Sequence, residues 1–397
     1  MEMKAKRQLI ESFKRRYHHA DYGQRKRLLS EVCELFTWHR KHAVRRLNEP
    51  LAVDKPARKK PGRKSTYGDP EFLKALHRVR KVMEFRNAKV MKANMVEWLP
   101  FIEQEYGVFT DSVRGRLLRI SPATIDRYLK RARDAAGTGL STTRPGSMLR
   151  NEIPVALGSQ WQETQPGKMA ADTVAHCGVS TAGQYVNTLD MVDYATHWTA
   201  QRAVWGKGAA GVLEATQSIE DALPFPLIAL HVDNGTEFLN YHYIRHYSEE
   251  PVRDRFQFTR SRAYRKNDNA HVEQKNWSVV RRYLGYERLD SLELVVPINK
   301  LLQNELYLYL NHFCPTFKLE QKIAIKSRYK KIYGEPKTPY QRVLESEFID
   351  DDVKTSLRKQ HQTLNPVKLK IKIEQQLKNI FAIHRKFRKS RSSFSAA

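Results

Sequence analysis

The sequence predicts a multidomain chain: helical modules at the amino-terminal end, an α/β domain in the middle and a basic, mainly helical region at the carboxyl-terminal end. Three observations predict it. Apolar residues recur at helical spacing through residues 4–47 and again through 69–136. Short apolar runs in the order strand, strand, strand, helix, strand, helix fill residues 168–248. Residues 316–397 are strongly basic, with runs such as KSRYKKIYG and HRKFRKSRSS.

A chain of 397 residues has material for two to four domains and a sizeable core. Its 70 Lys and Arg against 43 Asp and Glu leave a formal charge of +27, which points to a polyanion as partner, nucleic acid before any other. A ribosomal or membrane-surface protein can be as basic, but neither accounts for acids at the element ends of a strand-and-helix centre. No apolar run is long enough to cross a membrane, and MEMKAKRQLIESFKRR lacks a secretory apolar core, so an intracellular chain is expected. Cys33, Cys177 and Cys314 lie too far apart for a disulfide framework or a Cys-based zinc site.

In residues 1–50, Leu9, Ile10 and Phe13 mark one helical segment, and Leu28, Leu29, Val32, Leu35 and Phe36 another. The run LLSEVCELFTWHRKHAVRRLN is similar to a helix-turn-helix: one helix ending near Phe36, a turn at Thr37-Trp38, and a second from His39 to Leu47. That reading offers Arg40, Lys41, Arg45 and Arg46 to phosphates or base edges, against the plainer one of a basic surface helix in a small bundle. Residues 51–66 are a proline-rich basic linker, whose KKPGRK is either a minor-groove arm or solvated chain. Residues 67–137 are helical again, and RLLRISPATIDRYLKRARD gives Ser121 as N-cap, Pro122 in the first turn, and Ile125 and Leu129 one turn apart. It looks like a second helix-turn-helix, presenting Thr124, Arg127, Lys130 and Arg131. Two such modules in tandem suit an extended double-stranded DNA site. Residues 138–160, low in apolar content, are a connector.

The centre, residues 161–315, holds the chemistry. Lys168–Cys177, Gln184–Val192 and Trp198–Val204 read as strands, the last two joined by a turn at 193–196, followed by a helix over 209–222. The apolar run Leu227, Ile228, Ala229, Leu230, Val232 is a buried strand that ends on Asp233 at the turn pair Asn234-Gly235. A helix over 238–248 and a strand over 256–259 follow. Asp172 sits within the first strand, where a charge is costly unless paired or bound to metal. Glu273 falls early in a helix capped by Asp268 or Asn269. Asp190 and Asp193 are rival acids, although an Asp at a hairpin usually serves the turn. Hard divalent cations need carboxylates converging from separate rigid elements.

Asp172, Asp233 in HVDNGTEF and Glu273 in NDNAHVEQKN resemble the Asp-Asp-Glu triad of retroviral integrases and insertion-sequence transposases. The spacings are 233 − 172 = 61 and 273 − 233 = 40, and each acid stands in the expected context of strand, strand end or Asn-rich loop before a helical E-x-x-N. The resemblance covers roughly residues 161–309. It implies a ribonuclease-H-like fold with the first and fourth strands side by side. It also implies two Mg²⁺ ions (Mn²⁺ as substitute) held by the three acids, 3′-end cleavage and strand transfer by a DNA transposase of a bacterial insertion sequence, and a homo-oligomer on DNA. Arg265, Lys266, Lys275, Asn276 and Arg282 flank Glu273 as candidate DNA contacts. His231 and His271 stand near the acids, with an orienting or merely structural role set against a catalytic one. Two departures stand out: Ala270 replaces the Gly usual in retroviral enzymes, and the paired Cys of their zinc domain are missing around His18, His19, His39 and His42.

After the core, one long amphipathic helix is expected over 292–312, a short helix at TPYQRVLES, and a terminal amphipathic helix from LNPVKLKIKI onward, with a disordered tail after Lys389. Residues 316–397 form a basic DNA-contacting region, without the alternation that a small barrel would need. Two other classes stay open: a non-catalytic DNA-binding regulator derived from a transposase, and a nuclease of the same fold that cuts without joining.

Overall fold

The computed structural model describes residues 3–49, 66–84, 87–134, 165–232, 238, 247, 256–260, 276–325 and 328–394. Linker 51–66, apart from Thr66, and connector 138–160 lie outside the described residues. The chain divides into two compact units, Met1–Ser65 and Thr66–Ala397.

In the first unit, α1 (Met3–His19), α2 (Tyr22–Phe36) and α3 (Arg40–Asn48) close around Phe13, Leu28, Leu29, Val32, Phe36, Ala43 and Leu47. Asp21 starts α2 with a reciprocal cap: its carboxylate accepts from Gln24 N at 2.8 Å, and the Gln24 side chain accepts from Asp21 N. Thr37 ends α2 in the left-handed region at φ 51°, and Trp38 stacks on Phe36 with centroids 4.8 Å apart. The turn that the sequence puts at Thr37-Trp38 is thus fixed by a backbone reversal and an aromatic stack.

The second unit begins with α4 (Pro70–Met83), α5 (Ala88–Tyr106), α6 (Asp111–Arg119) and α7 (Pro122–Asp134). Ser121 Oγ accepts from Thr124 N at 3.2 Å, the cap expected for α7. These helices do not close a core of their own. Their apolar faces join one cluster with Val279, Val280 and the helices that follow the sheet, because Trp98, Leu99 and Ile102 leave an apolar face that α4 and α6 alone do not cover.

The sheet has the order β3-β2-β1-β4-β5, from β1 (Lys168–Ala175), β2 (Val186–Asp193), β3 (Thr199–Trp205), β4 (Ala229–Val232) and β5 (Gln257–Arg260). The first three strands are antiparallel, and β4 and β5 run parallel to β1. Adjacency of the first and fourth strands is what the resemblance implies. Met169, Ala171, Leu189 and Met191 face α8 (Ala209–Glu220), and Val174 on the alternate face meets the large helical cluster. The helix expected over 238–248 falls, except for Phe238 and Tyr247, outside the described residues.

Two expectations are corrected beyond the sheet. The single helix over 292–312 is two, α9 (Val295–Gln303) and α10 (Glu305–Phe313), because Asn304 leaves the helical region at ψ −97° and turns its amide back on Lys300 O. The region after 316 is mainly helical with an extended part: β6 (Leu319–Ile325) and β7 (Arg328–Tyr333) form a separate two-stranded antiparallel sheet. The terminal helix does not stop at Lys389. After α11 (Pro339–Glu345) and α12 (Asp351–Thr363), α13 runs from Pro366 to Phe394, started by Asn365, whose side chain accepts from Val367 N at 2.9 Å. No helix among the described residues is long and apolar enough to cross a membrane.

Candidate active site

Asp172 lies on β1, flanked by β2 and β4, at the level where β4 ends. Its residue neighbour Ala171 pairs with Val232, the last residue of β4. Asp233 follows Val232 and lies outside the described residues, as do Glu273, His271, Arg265, Lys266 and Lys275. Asp172 is half-buried. Its Oδ1 accepts from Thr173 N at 2.8 Å, and its Oδ2 accepts from Asn276 Nδ2 at 2.6 Å.

Asn276 opens a turn of π-helix, Asn276–Arg281, where the sequence suggests continuous α-helix. The wider coil is seated by Val279 and Val280, both buried, and by Arg281, which donates to Ala175 O at 2.7 Å. The Asn276 Oδ1 is buried and accepts no hydrogen bond among the described residues. An oxygen of this kind beside a carboxylate suits a hard cation or its hydration water, so the donor chemistry present fits a divalent metal. Among the described residues there is no group of three or more His, Cys, Asp or Glu able to hold one.

The rival acids separate cleanly. Asp193 serves the β2–β3 turn, accepting from Gly167 N (2.8 Å), Thr196 N (2.7 Å) and Thr196 Oγ1 (2.7 Å), and burial pushes its carboxyl up to about 6. Asp190 is the cross-strand partner of Asp172. It is fully buried, and Gln201 Nε2 donates to it at 2.8 Å. Nothing in the spacing of the sequence could reveal that pairing, since the register of β1 on β2 decides it. His231 is buried with Nδ1 2.9 Å from Thr259 Oγ1, a bond that holds β4 to β5.

His176, one turn of the strand pleat beyond Val174, is wholly buried with Nε2 2.9 Å from Thr188 Oγ1. Burial, and secondarily the nearby Arg281 charge, push its imidazole down to about 3. The folded protein therefore keeps His176 neutral where the unfolded chain takes up a proton. Its contribution to stability is intact above about pH 6.5 and is lost as pH falls toward 3, reaching about 2 kcal/mol by pH 5. Urea unfolding at pH 7 and pH 5 measures this, and His176→Gln is expected to flatten the difference.

The remaining predicted contacts are dispersed. Arg40, Lys41 and Arg45 are exposed on α3, while Arg46 donates to Glu49 at 2.6 Å. Thr124 is engaged in the cap of α7 with its hydroxyl 2.9 Å from Ser121 Oγ, and Arg127 is exposed. The side chains of Lys130 and Arg131 lie outside the described residues. Arg282 donates to Glu84 O at 3.1 Å and Glu84 Oε2 at 3.3 Å, tying the π-helical turn to the end of α4.

No family model matches the chain. The uncharacterized protein y4rM of Sinorhizobium fredii is 34% identical over 343 residues, which is 86% of this chain and 95% of that protein. The chain belongs to the y4rM family. The match to y4rM is longer than the central sheet and its connections alone. Among solved structures, the HTLV-2 integrase catalytic core in complex with magnesium is 13% identical, covering 38% of this chain and 91% of that one at a TM-score of 0.28. The BIV integrase core is 16% identical, covering 46% and 95% at 0.29. A simian T-cell lymphotropic virus intasome in complex with the PP2A regulatory subunit B56 gamma is 11% identical, covering 60% and 72% at 0.30.

Proposed function

We propose that this chain is a DNA transposase of the integrase type, which binds the ends of a mobile element, cleaves at the 3′ end and transfers the strand into target DNA. The observation that carries the reading is Asp172: a carboxylate on a central strand, level with the end of the adjacent parallel strand, held from the side by the Asn276 amide. Asp233 follows that strand end directly, and Glu273 precedes Asn276 by three residues. This proximity along the chain supports a common site for the three acids.

In this reading Asp172, Asp233 and Glu273 hold two Mg²⁺ or Mn²⁺ ions, which when bound supply Lewis-acid stabilisation of the phosphodiester oxygens. The chain's own part is geometric. The β1 backbone fixes the Asp172 carboxylate through Thr173 N, Asn276 fixes its plane, and the buried sheet beneath prevents it from turning away. Arg40, Lys41, Arg45, Arg46, Thr124, Arg127, Lys130 and Arg131 are proposed contacts to the element end, and Arg265, Lys266, Lys275 and Arg282 to DNA near the reacting phosphate. Joining two ends to one target calls for a homo-oligomer on DNA.

The test is incubation of the purified chain with Mg²⁺ and duplex DNA from the borders of its gene. Nicking at one defined 3′ end followed by joining supports the reading. Binding without nicking supports a regulator derived from a transposase, and nicking without joining a nuclease. Asn276 gives a finer check. Asn276→Leu removes a hydrogen bond to a charged group, and cleavage is expected to fall about 10–100-fold, consistent with about 1.5–3 kcal/mol. The half-saturating Mg²⁺ concentration should rise in the same variant, while end binding stays unchanged. Equal metal dependence in the variant and the parent would remove Asn276 from the site.

A further inference from the structure

One transverse row of the sheet is polar from strand to strand, and it begins at Asp172. The register sets Asp190 of β2 opposite Asp172, and Gln201 of β3 opposite Asp190. Residues directly opposite in antiparallel strands share a face, with Cβ atoms about 4.5–5.5 Å apart. The row therefore runs inward from a half-buried carboxylate to a second carboxylate and an amide, both fully buried. Like charges in that relation weaken a sheet, and burial raises the cost of the inner one.

The far end of the row is rigid. Gln201 Nε2 donates to Asp190 Oδ1 at 2.8 Å, and Thr199 Oγ1 donates to the same oxygen at 3.3 Å. β3 is an edge strand, and two asparagines close its outer edge. Asn311 of α10 accepts from Thr199 N at 2.9 Å and donates to Thr199 O at 2.8 Å. Asn299 of α9 does the same for Ala203, at 2.7 and 2.8 Å. Gln201 lies between these two anchors, so Asp190 is fixed from behind. Both of its donors on β3 are neutral, and either would serve the amide oxygen of an asparagine equally well. Neither bond needs the charge of Asp190. The use of that charge lies on the other side of the strand, toward Asp172.

We propose that Asp190 is a positioning residue for the metal site of Asp172: a second carboxylate, held behind the first and shut off from solvent, that deepens the negative potential there and selects a divalent cation over a monovalent one. This rests on the DNA-transposase reading above, and extends it from the three acids to a fourth that their spacing along the chain does not contain. A fixed charge at this range acts twice as strongly on a divalent ion as on a monovalent one. The two facing carboxylates repel each other less once a cation screens them, so the strain of the empty row becomes affinity for the ion.

The experiment titrates the full chain with Mn²⁺ alone, reading the free ion by electron paramagnetic resonance, and follows thermal melting with and without it. Asp172→Asn defines which bound Mn²⁺ belongs to the site. Asp190→Asn should bind that ion about 10–100-fold more weakly, the usual cost of losing a partner behind a metal ligand. Its metal-free melting temperature should rise by about 1–3 °C, because only one of the two facing charges is left. Gln201→Met removes a donor and keeps the charge, so it should melt lower than the parent and bind Mn²⁺ within about threefold of it. A purely structural Asp190 would instead make both variants melt lower and bind the ion as the parent does. A loss of affinity below about tenfold in Asp190→Asn, an equal loss in Gln201→Met, or a metal-free melting temperature of Asp190→Asn below the parent's overturns the inference. If Asp172→Asn still loses the ion alongside that result, the transposase reading survives it. If the parent binds no Mn²⁺ that Asp172→Asn loses, with or without duplex DNA from the gene border, both readings fall together.

Discussion

Asp172→Asn is expected to abolish cleavage and strand transfer while leaving the fold and DNA binding intact. The substitution keeps the side chain's shape, and its Oδ1 still accepts from Thr173 N. Asn276, which now donates to Oδ2, can present its own buried oxygen to the new amide instead. What disappears is the charge. Loss of one preorganised electrostatic partner of a reacting centre costs about 10²–10³-fold, and loss of a metal-holding carboxylate should cost at least that much. Asp190 sits directly across the strand pair, so removing one of two facing carboxylates should hold or slightly raise the melting temperature. Affinity for duplex DNA should stay within about threefold, since one negative charge fewer faces a polyanion. Single-turnover nicking on gene-border DNA, with thermal melting and binding measured in parallel, reads all three. Asp233→Asn and Glu273→Gln should behave alike. Near-normal strand transfer in any one of them would end that residue's part in the site.

The strand that carries Asp172 can be read along the chain, and what surrounds it there cannot, for identifiable reasons. Period-two alternation and the Asn234-Gly235 turn signal are enough to find β1 and β4, because both strands are bounded by polar punctuation. Alternation also identifies Asp172 as a charge out of place in its strand. Register is a different matter, since it is set by contacts between segments far apart in sequence. The facing of Asp172 and Asp190 and the bond from Asn276 are accordingly beyond reach. The π-helical turn escapes because the apolar stripe Val279, Val280, Tyr283 fits either coil, and only the seating of Arg281 on Ala175 O selects the wider one. β6–β7 escapes for the opposite reason. Its strands are short and rich in Lys and Arg, so the segment reads as a basic tail. The second helical region looks independent because its helices are strongly amphipathic, and the sequence does not say that their apolar faces are completed by α10 and α13.

That shared core gives the largest stability effect expected. Trp98 on α5 is fully buried, edge-on to Tyr309 at 6.1 Å and to Phe313 at 6.3 Å, both on α10. One turn earlier, Asn94 Nδ2 donates to Phe313 O at 3.3 Å, and the adjacent Glu97 contacts His361 of α12 at 2.9 Å. Trp98→Ala should therefore cost about 3–5 kcal/mol, the range for deleting a large buried aromatic with partial collapse of the cavity. Trp98→Phe keeps an edge-on ring and should cost less than about 2 kcal/mol. The loss should be local at first. Amides of α5 and α10 are expected to exchange faster, while those of β1 and β2 keep their protection, because the sheet buries its other face against α8 independently of Trp98. A cost below about 1 kcal/mol in urea unfolding would mean that the helices of residues 70–134 stand apart from the sheet after all, as their amphipathic pattern alone suggests.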